Sequence, residues 1–159
     1  MAQHAAAPPP AETTGDKAMD PYGGIRFCLN TSTVRGQELT ITQQVDLAAS
    51  SGYDAIEPWM SDLVKYKESG GSLPDLRKRI EDAKSPLKVR SASPTGLSMM
   101  TRRRARGLQQ ARGDMELLKS IGGKRIAAPP VGATKEPGPA LPVIAERYAE
   151  LLKVGAEVT

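Results

Sequence analysis

The chain has 159 residues and a formal net charge of +4, with 22 lysines and arginines against 18 aspartates and glutamates. This length fits one domain and excludes a complete (β/α)8 barrel of ordinary size, which needs about 250 residues. No apolar run approaches the ~18 residues of a membrane span, and a single cysteine excludes an intramolecular disulfide. The positive charge is local, because the segment 101–112 contains five arginines and no acid.

Residues 1–24 are rich in alanine, proline and small polar residues. This composition predicts a disordered Ala/Pro-rich tail, followed by a folded domain over 25–159. The tail has no basic region followed by an apolar one, so it is not an intact signal peptide. We expect a cytoplasmic protein; the alternative is export, if a signal peptide preceded this tail.

After the tail, short apolar runs alternate with helical patterns. The runs predict strands over 25–31, 53–57, 87–92 and 125–128. Thr40 and Gln43 have capping-box spacing, and Ser72 before Pro74 predicts a second helix start. Apolar residues at helical spacing predict two further helices, around 108–121 and 144–151. The order βαβαβαβα favours a parallel sheet. We therefore expect an α/β fold of about four βα units, a partial (β/α)8 TIM barrel.

In such folds, functional groups lie at the C-terminal ends of the strands. Glu57 could bind a polyol hydroxyl or support a proton transfer; alternatively, it is a solvated acid or an ion-pair partner. Trp59 could stack on a sugar ring or cover the core. Asn30 could bind substrate, although a role in capping the turn is favoured. The same rule selects Ser91, Ser93 and the turn 128–130.

Other residues exclude several chemistries. The only histidine, His4, lies in the tail, which excludes a Ser-His-Asp triad and a histidine-based zinc site in the core. Cys28 is predicted to be a buried small hydrophobic residue. The Arg102–Arg106 run could neutralise nucleic-acid phosphates, but no aromatic residue lies within it to stack on bases, which favours a solvated helix start.

Three segments carry a family resemblance: FCLNTSTVRG (27–36), GYDAIEPW (52–59) and DMELLKSIGGKRIAAPP (114–130). Over 25–159 the chain resembles the xylose isomerase-like TIM-barrel family, in its sugar phosphate isomerase/epimerase branch. The resemblance implies a (β/α)8 fold and the isomerisation or epimerisation of a sugar or related polyol. It also implies a divalent metal that assists proton transfer in the full-length family. By the same resemblance, Asn30, Glu57 and Trp59 line the substrate mouth.

Two departures from the family pattern shape the expectation for this chain. The family's metal ligands and catalytic carboxylate pair come from later strands, so we expect the N-terminal half of a barrel, a truncated form with no metal site and little or no isomerase activity. Segment 94–104 also lacks the aromatic and acidic residues that the branch carries there. Two alternatives remain: a non-catalytic half-barrel that self-associates through its two open sheet edges, and a nucleic-acid-binding module using Arg102–Arg106.

Overall fold

The computed structural model of the chain describes residues 24–83, 88–92, 101–129 and 138–158. Within these ranges the strands are β1 (Cys28–Asn30), β2 (Ala55–Glu57), β3 (Lys88–Ala92) and β4 (Arg125–Ala127). They form one parallel sheet in the order β1-β2-β3-β4. The predicted α/β architecture with a parallel sheet is therefore confirmed, while the predicted tail lies almost entirely outside the described residues.

Five α-helices accompany the described strands. They are α1 (Ile41–Ser50), α2 (Met60–Glu68), α3 (Leu73–Asp82), α4 (Thr101–Ser120) and α5 (Leu141–Val158). A 3-10 helix, Thr31–Gln37, follows β1 directly. The sequence patterns predicted α1, α3, α4 and α5, but neither α2 nor the 3-10 helix. None of the described helices is long and apolar enough to cross a membrane.

The predicted helix starts of α1 and α3 are confirmed in their hydrogen bonds. Thr40 Oγ1 accepts a hydrogen bond from Gln43 N (3.4 Å), and Thr40 N donates to Gln43 Oε1 (2.9 Å), which completes the capping box. Ser72 Oγ accepts from Asp75 N (3.3 Å) at the start of α3. These bonds satisfy backbone donors that the first helical turn leaves without an intrahelical partner.

The hydrophobic core lies between the sheet and the helices. Leu29 and Ile56 are register partners on β1 and β2, and they are 5% and 0% exposed. They form one cluster with side chains of α1 to α4, namely Ile41, Val45, Met60, Leu63, Leu76, Ile80 and Leu118. Because side chains alternate along a strand, Cys28 points to the opposite face of the sheet. Cys28 is therefore half-buried, and the prediction that it is buried was wrong.

The arginine-rich segment belongs to α4 and not to a loop. Arg104 forms an ion pair with Glu150, and Arg112 forms one with Glu157; both acids lie on α5. Arg106 is exposed. Two of the arginines in this helix therefore join α4 to α5. The helical placement agrees with the favoured interpretation, but the Arg104 side chain is only 16% exposed and is therefore not solvated as that interpretation expected. The preceding residues 93–100 lie outside the described part of the chain.

Candidate functional site

The C-terminal ends of β1 and β2 bring two predicted site residues together. Asn30 and Glu57 are the last residues of their strands and are register partners in the sheet. Neighbouring strands lie about 4.8 Å apart, so these two residues are immediate neighbours. Asn30 directly follows the core residue Leu29, and Glu57 directly follows the core residue Ile56. Successive side chains of a strand lie on opposite faces of the sheet, so the side chains of Asn30 and Glu57 lie on the face away from the core.

Glu57 offers a carboxylate to a ligand at this edge. Glu57 is half-buried, and the next residue, Pro58, is fully buried and ends the strand. Among the described residues, no side chain or backbone group forms a hydrogen bond or ion pair with the Glu57 carboxylate. The ion-pair alternative therefore has no described partner, and both carboxylate oxygens can accept hydrogen bonds.

Asn30 combines a structural role with a free donor. Its Oδ1 accepts a hydrogen bond from Ser32 N (3.0 Å), and its backbone oxygen accepts one from Thr33 Oγ1 (2.8 Å). The turn role that the sequence favoured is thus confirmed. No described group accepts a hydrogen bond from Nδ2. Because Oδ1 is held by the turn, Nδ2 keeps a fixed orientation and can donate to a ligand.

Trp59 lies two residues beyond Glu57, at the start of α2. It is 39% exposed, whereas the next residue, Met60, is 5% exposed. The Trp59 backbone forms the N-cap of α2, with no side-chain capping bond. The indole is therefore neither fully exposed nor a closed lid over the core. A partly accessible indole two residues after Glu57 offers an apolar aromatic face to a ligand at this edge of the sheet.

A buried polar contact holds α2 against α1 below this edge. Gln44 is 4% exposed, and its Nε2 donates to Leu39 O (3.0 Å) and to Asp62 Oδ2 (3.1 Å). Asp62 N in turn donates to Trp59 O (3.0 Å). This chain of hydrogen bonds fixes the start of α2 and hence the position of Trp59. The sequence analysis missed it, because a glutamine inside an amphipathic helix gives no signal of its distant partner.

The remaining predicted strand-end residues contribute less. Ser91 lies within β3, and Ser93 lies outside the described residues. After β4, Ala128 O accepts a hydrogen bond from Tyr148 Oη (2.7 Å), which attaches α5 to the end of that strand. Of the predicted turn 128–130, residue 130 lies outside the described part of the chain. Asn30, Glu57 and Trp59 therefore form the candidate site, hereafter the rim.

The rim does not fit the metal that the family resemblance implies. Within the described residues, no group of three or more histidine, cysteine, aspartate or glutamate side chains lies close enough together to hold an ion. Glu57 is the one carboxylate of the rim, and a single carboxylate falls well short of the coordination that protein-bound divalent metals have.

Comparisons with known proteins show that this fold resembles that of solved TIM-barrel proteins. No protein-family model matches the chain, and no curated protein matches it in sequence. Among solved structures, the probable 3-DHS dehydratase AsbF of Bacillus anthracis superposes with a TM-score of 0.71 at 14% identity, over 84% of this chain and 49% of that one. The IolI protein, described with a binding zinc atom, superposes with a TM-score of 0.67 at 19% identity, over 84% and 47%.

A third similar structure is the 3-keto-D-glucoside 4-epimerase YcjR of E. coli. Its TM-score is 0.55 at 19% identity, over 75% of this chain and 48% of that one. The chain thus spans about half the length of the solved structures that it matches. The predicted partial barrel is confirmed by this coverage together with the four parallel strands.

Proposed function

We propose that the rim binds a sugar or sugar phosphate, and that it is the substrate-binding part of an isomerase- or epimerase-type barrel. The observation that carries this proposal is the pairing of Asn30 with Glu57 at the C-terminal edge of a parallel sheet. One residue presents amide hydrogens and the other presents carboxylate oxygens. Alternating donors and acceptors of this kind suit the hydroxyl groups of a polyol, since each hydroxyl both donates and accepts.

Each residue of the rim has a separate role in this proposal. Glu57 accepts hydrogen bonds from one or two sugar hydroxyls, and Asn30 donates from Nδ2 to a neighbouring oxygen. Trp59 covers the apolar face of the ring. The description of one similar structure as a 3-keto-D-glucoside 4-epimerase supports the sugar class.

The isolated chain is expected to bind without turnover. Isomerisation and epimerisation move a proton from one carbon and stabilise the charge that remains. The described strands end at Asn30, Glu57, Ala92 and Ala127, so Glu57 is the only one of these four end residues that can take up a proton. A second charged group is needed to stabilise the anionic intermediate. We therefore place binding, but not catalysis, in this chain.

Intrinsic fluorescence tests the binding proposal directly. Trp59 is the only tryptophan of the chain and belongs to the rim. Titration with a panel of aldoses, ketoses and their phosphates is expected to change its emission with at least one of them. Glu57→Gln removes the charged acceptor and should weaken binding about tenfold or more, because hydrogen bonds to charged groups contribute about 1.5–3 kcal/mol.

The matched control is Glu68→Gln, which makes the same change at an exposed position at the end of α2. This variant should bind as the wild type does. Equal weakening by both substitutions would show a general charge effect and contradict the assigned role of Glu57. Incubation of the bound sugar in deuterated water, followed by NMR, is expected to show no exchange at carbon. Exchange catalysed by the chain would contradict the proposed lack of turnover.

A further inference from the structure

The described strands leave two edges of the sheet without a neighbouring strand. These are the outer edge of β1 and the outer edge of β4. Because all four strands are parallel, the two edge strands, β1 and β4, have the same chain direction. The β1 strand of a second copy can therefore pair with β4 in the parallel arrangement used throughout this sheet. A two-fold axis then forms the same contact a second time, between the other two edges.

The core is incomplete on the β4 side of the sheet. An open cavity of about 900 Å³ lies between β4, α3, α4 and α5. Ile126 and Leu152 line it in part, together with charged side chains of α3, of α4 and of the segment that leads into β4. Ile126 is only half-buried, whereas Leu29 and Ile56, on the same face of β1 and β2, are 5% and 0% exposed. Leu152 is 72% exposed. Exposed aliphatic surface around an open cavity is typical of a face that another element covers.

Helix α5 continues this apolar surface. Its ion pairs with α4, through Glu150 and Glu157, fix which side of the helix is occupied. Another side carries exposed apolar residues at helical spacing, namely Leu141, Ala145, Leu152 and Ala156. No charged residue interrupts this stripe. We call the edge of β4, the cavity and this stripe of α5 the β4 face.

The β1 edge offers a complementary apolar group. Phe27, the only phenylalanine of the chain, is 43% exposed, and Ile25 is 62% exposed. The backbone oxygen of Phe27 accepts hydrogen bonds from Asp54 N (2.9 Å) and Ala55 N (3.1 Å), which fixes its position beside β2. By alternation, Phe27 lies on the same side of the sheet as Leu29, the side that carries the core.

We propose that the β4 face binds the β1 edge of a second copy of this chain, so that two copies close an eight-stranded ring. With β1 of the second copy beside β4, its Phe27 lies next to residues 122–124. These residues precede β4 and line the cavity. The cavity is therefore the site that Phe27 of the second copy enters. Ile126 and Leu152 become covered in the same contact.

The number of strands agrees with this closure. The chain spans 49% and 47% of two barrels that it resembles, so two copies supply about one complete barrel. In the ring, the C-terminal end of β4 from one copy lies beside Asn30 of the other. The second copy therefore completes the wall around the rim. The association does not require that the rim binds sugar, so the two proposals can fail separately.

Sedimentation velocity on the 159-residue chain tests the proposal. A species of twice the 17.0 kDa chain mass is expected, in a concentration-dependent equilibrium with the single chain. Leu152→Glu places a charge in the β4 face and should raise the dissociation constant about tenfold or more. Ala105→Glu adds the same charge at an exposed position of α4 and should leave the dimer unchanged. Circular dichroism confirms that both variants are folded.

Phe27→Ala should weaken the dimer from the opposite side of the contact. A chain that stays monomeric at high concentration overturns the proposal. A series of oligomers larger than the dimer also overturns it, because open-ended pairing does not close a ring. Equal weakening of the dimer by Ala105→Glu and Leu152→Glu overturns it as well. A monomer whose Trp59 still responds to sugar overturns the association alone.

Discussion

The packing of helix α2 against the core is a sharp test of the fold, because the sequence analysis did not predict this helix. Leu63 lies in the middle of α2, is 0% exposed, and belongs to the core cluster under the sheet. Truncation of a fully buried leucine to alanine removes its transfer free energy and leaves a cavity, at a cost of about 2.7–5.0 kcal/mol. For Leu63→Ala we expect a loss of about 3 kcal/mol. Domains of this size are stable by about 5–15 kcal/mol, so the variant should remain folded in water.

Urea denaturation measures this loss, followed by far-ultraviolet circular dichroism and by Trp59 fluorescence. With a slope of about 1.5–2 kcal/mol per molar urea, the midpoint should fall by about 1.5–2 M. The fluorescence reports locally, because Trp59 directly precedes α2. The control is Lys65→Ala on the same helix, at an exposed position, where the change should stay within about 0.5 kcal/mol. If the two variants have similar midpoints, α2 is not packed against the core and this account of the fold is wrong.

Three further predictions concern local stability. Thr40→Ala removes the side-chain half of the capping box and should cost about 1 kcal/mol in the urea midpoint analysis, whereas an unchanged midpoint would show that the cap contributes nothing. Gly123→Ala should cost about 1–3 kcal/mol, because a Cβ there collides with the Leu118 side chain and lies 3.0 Å from the Leu118 carbonyl oxygen; a neutral result would contradict this close approach. A hydrogen bond from Arg79 lowers the pKa of Asp46 below its ordinary value of 3.8. The ion pair therefore stabilises the fold above pH 3.8, and this stabilisation is lost as the pH falls through the lowered pKa. Asp46→Asn should therefore reduce the slope of unfolding free energy against pH in that range. An unchanged slope would contradict the pairing.

Most of the fold could be predicted from local signals in the sequence. Two helix starts were predicted from capping residues, namely Thr40 with Gln43 and Ser72 before Pro74. The side chains of Thr40 and Ser72 accept hydrogen bonds from the first backbone donors of their helices. The short apolar runs predicted strands, and their alternation with helices favours a parallel sheet. The predicted strand at 25–31 is longer than the observed β1 at both ends. Asn30 starts a turn that ends the pairing on the C-terminal side, whereas residues 25–27 precede the paired segment.

The elements that were missed lack such signals. Helix α2 starts at Trp59 without a side-chain cap, directly after the strand-ending Pro58, and has only nine residues. The arginines at the start of α4 oppose the helix dipole, although a helix start was the favoured interpretation of this run. Glu150, more than forty residues later in the chain, supplies a compensating charge for Arg104. Only the folded arrangement brings these groups together.

The candidate site also has features that the sequence predicted and features that only the structure shows. Asn30 and Glu57 were predicted because the C-terminal ends of neighbouring parallel strands meet at one edge. Their direct register, and the turn bond that orients Asn30, appear only in the structure. The contact of Gln44 with Asp62, which positions the start of α2, joins side chains from two helices. Neither residue type nor spacing predicts such a contact.

The direct test of the rim as a sugar-binding site is a crystal structure of the chain with a sugar identified by the fluorescence titration. Ring hydroxyls are expected within hydrogen-bonding distance of the Glu57 carboxylate and of Asn30 Nδ2, with the ring against Trp59. A sugar bound at another surface, with Glu57 and Asn30 making no contact to it, would contradict the assignment of the rim as the substrate-binding site.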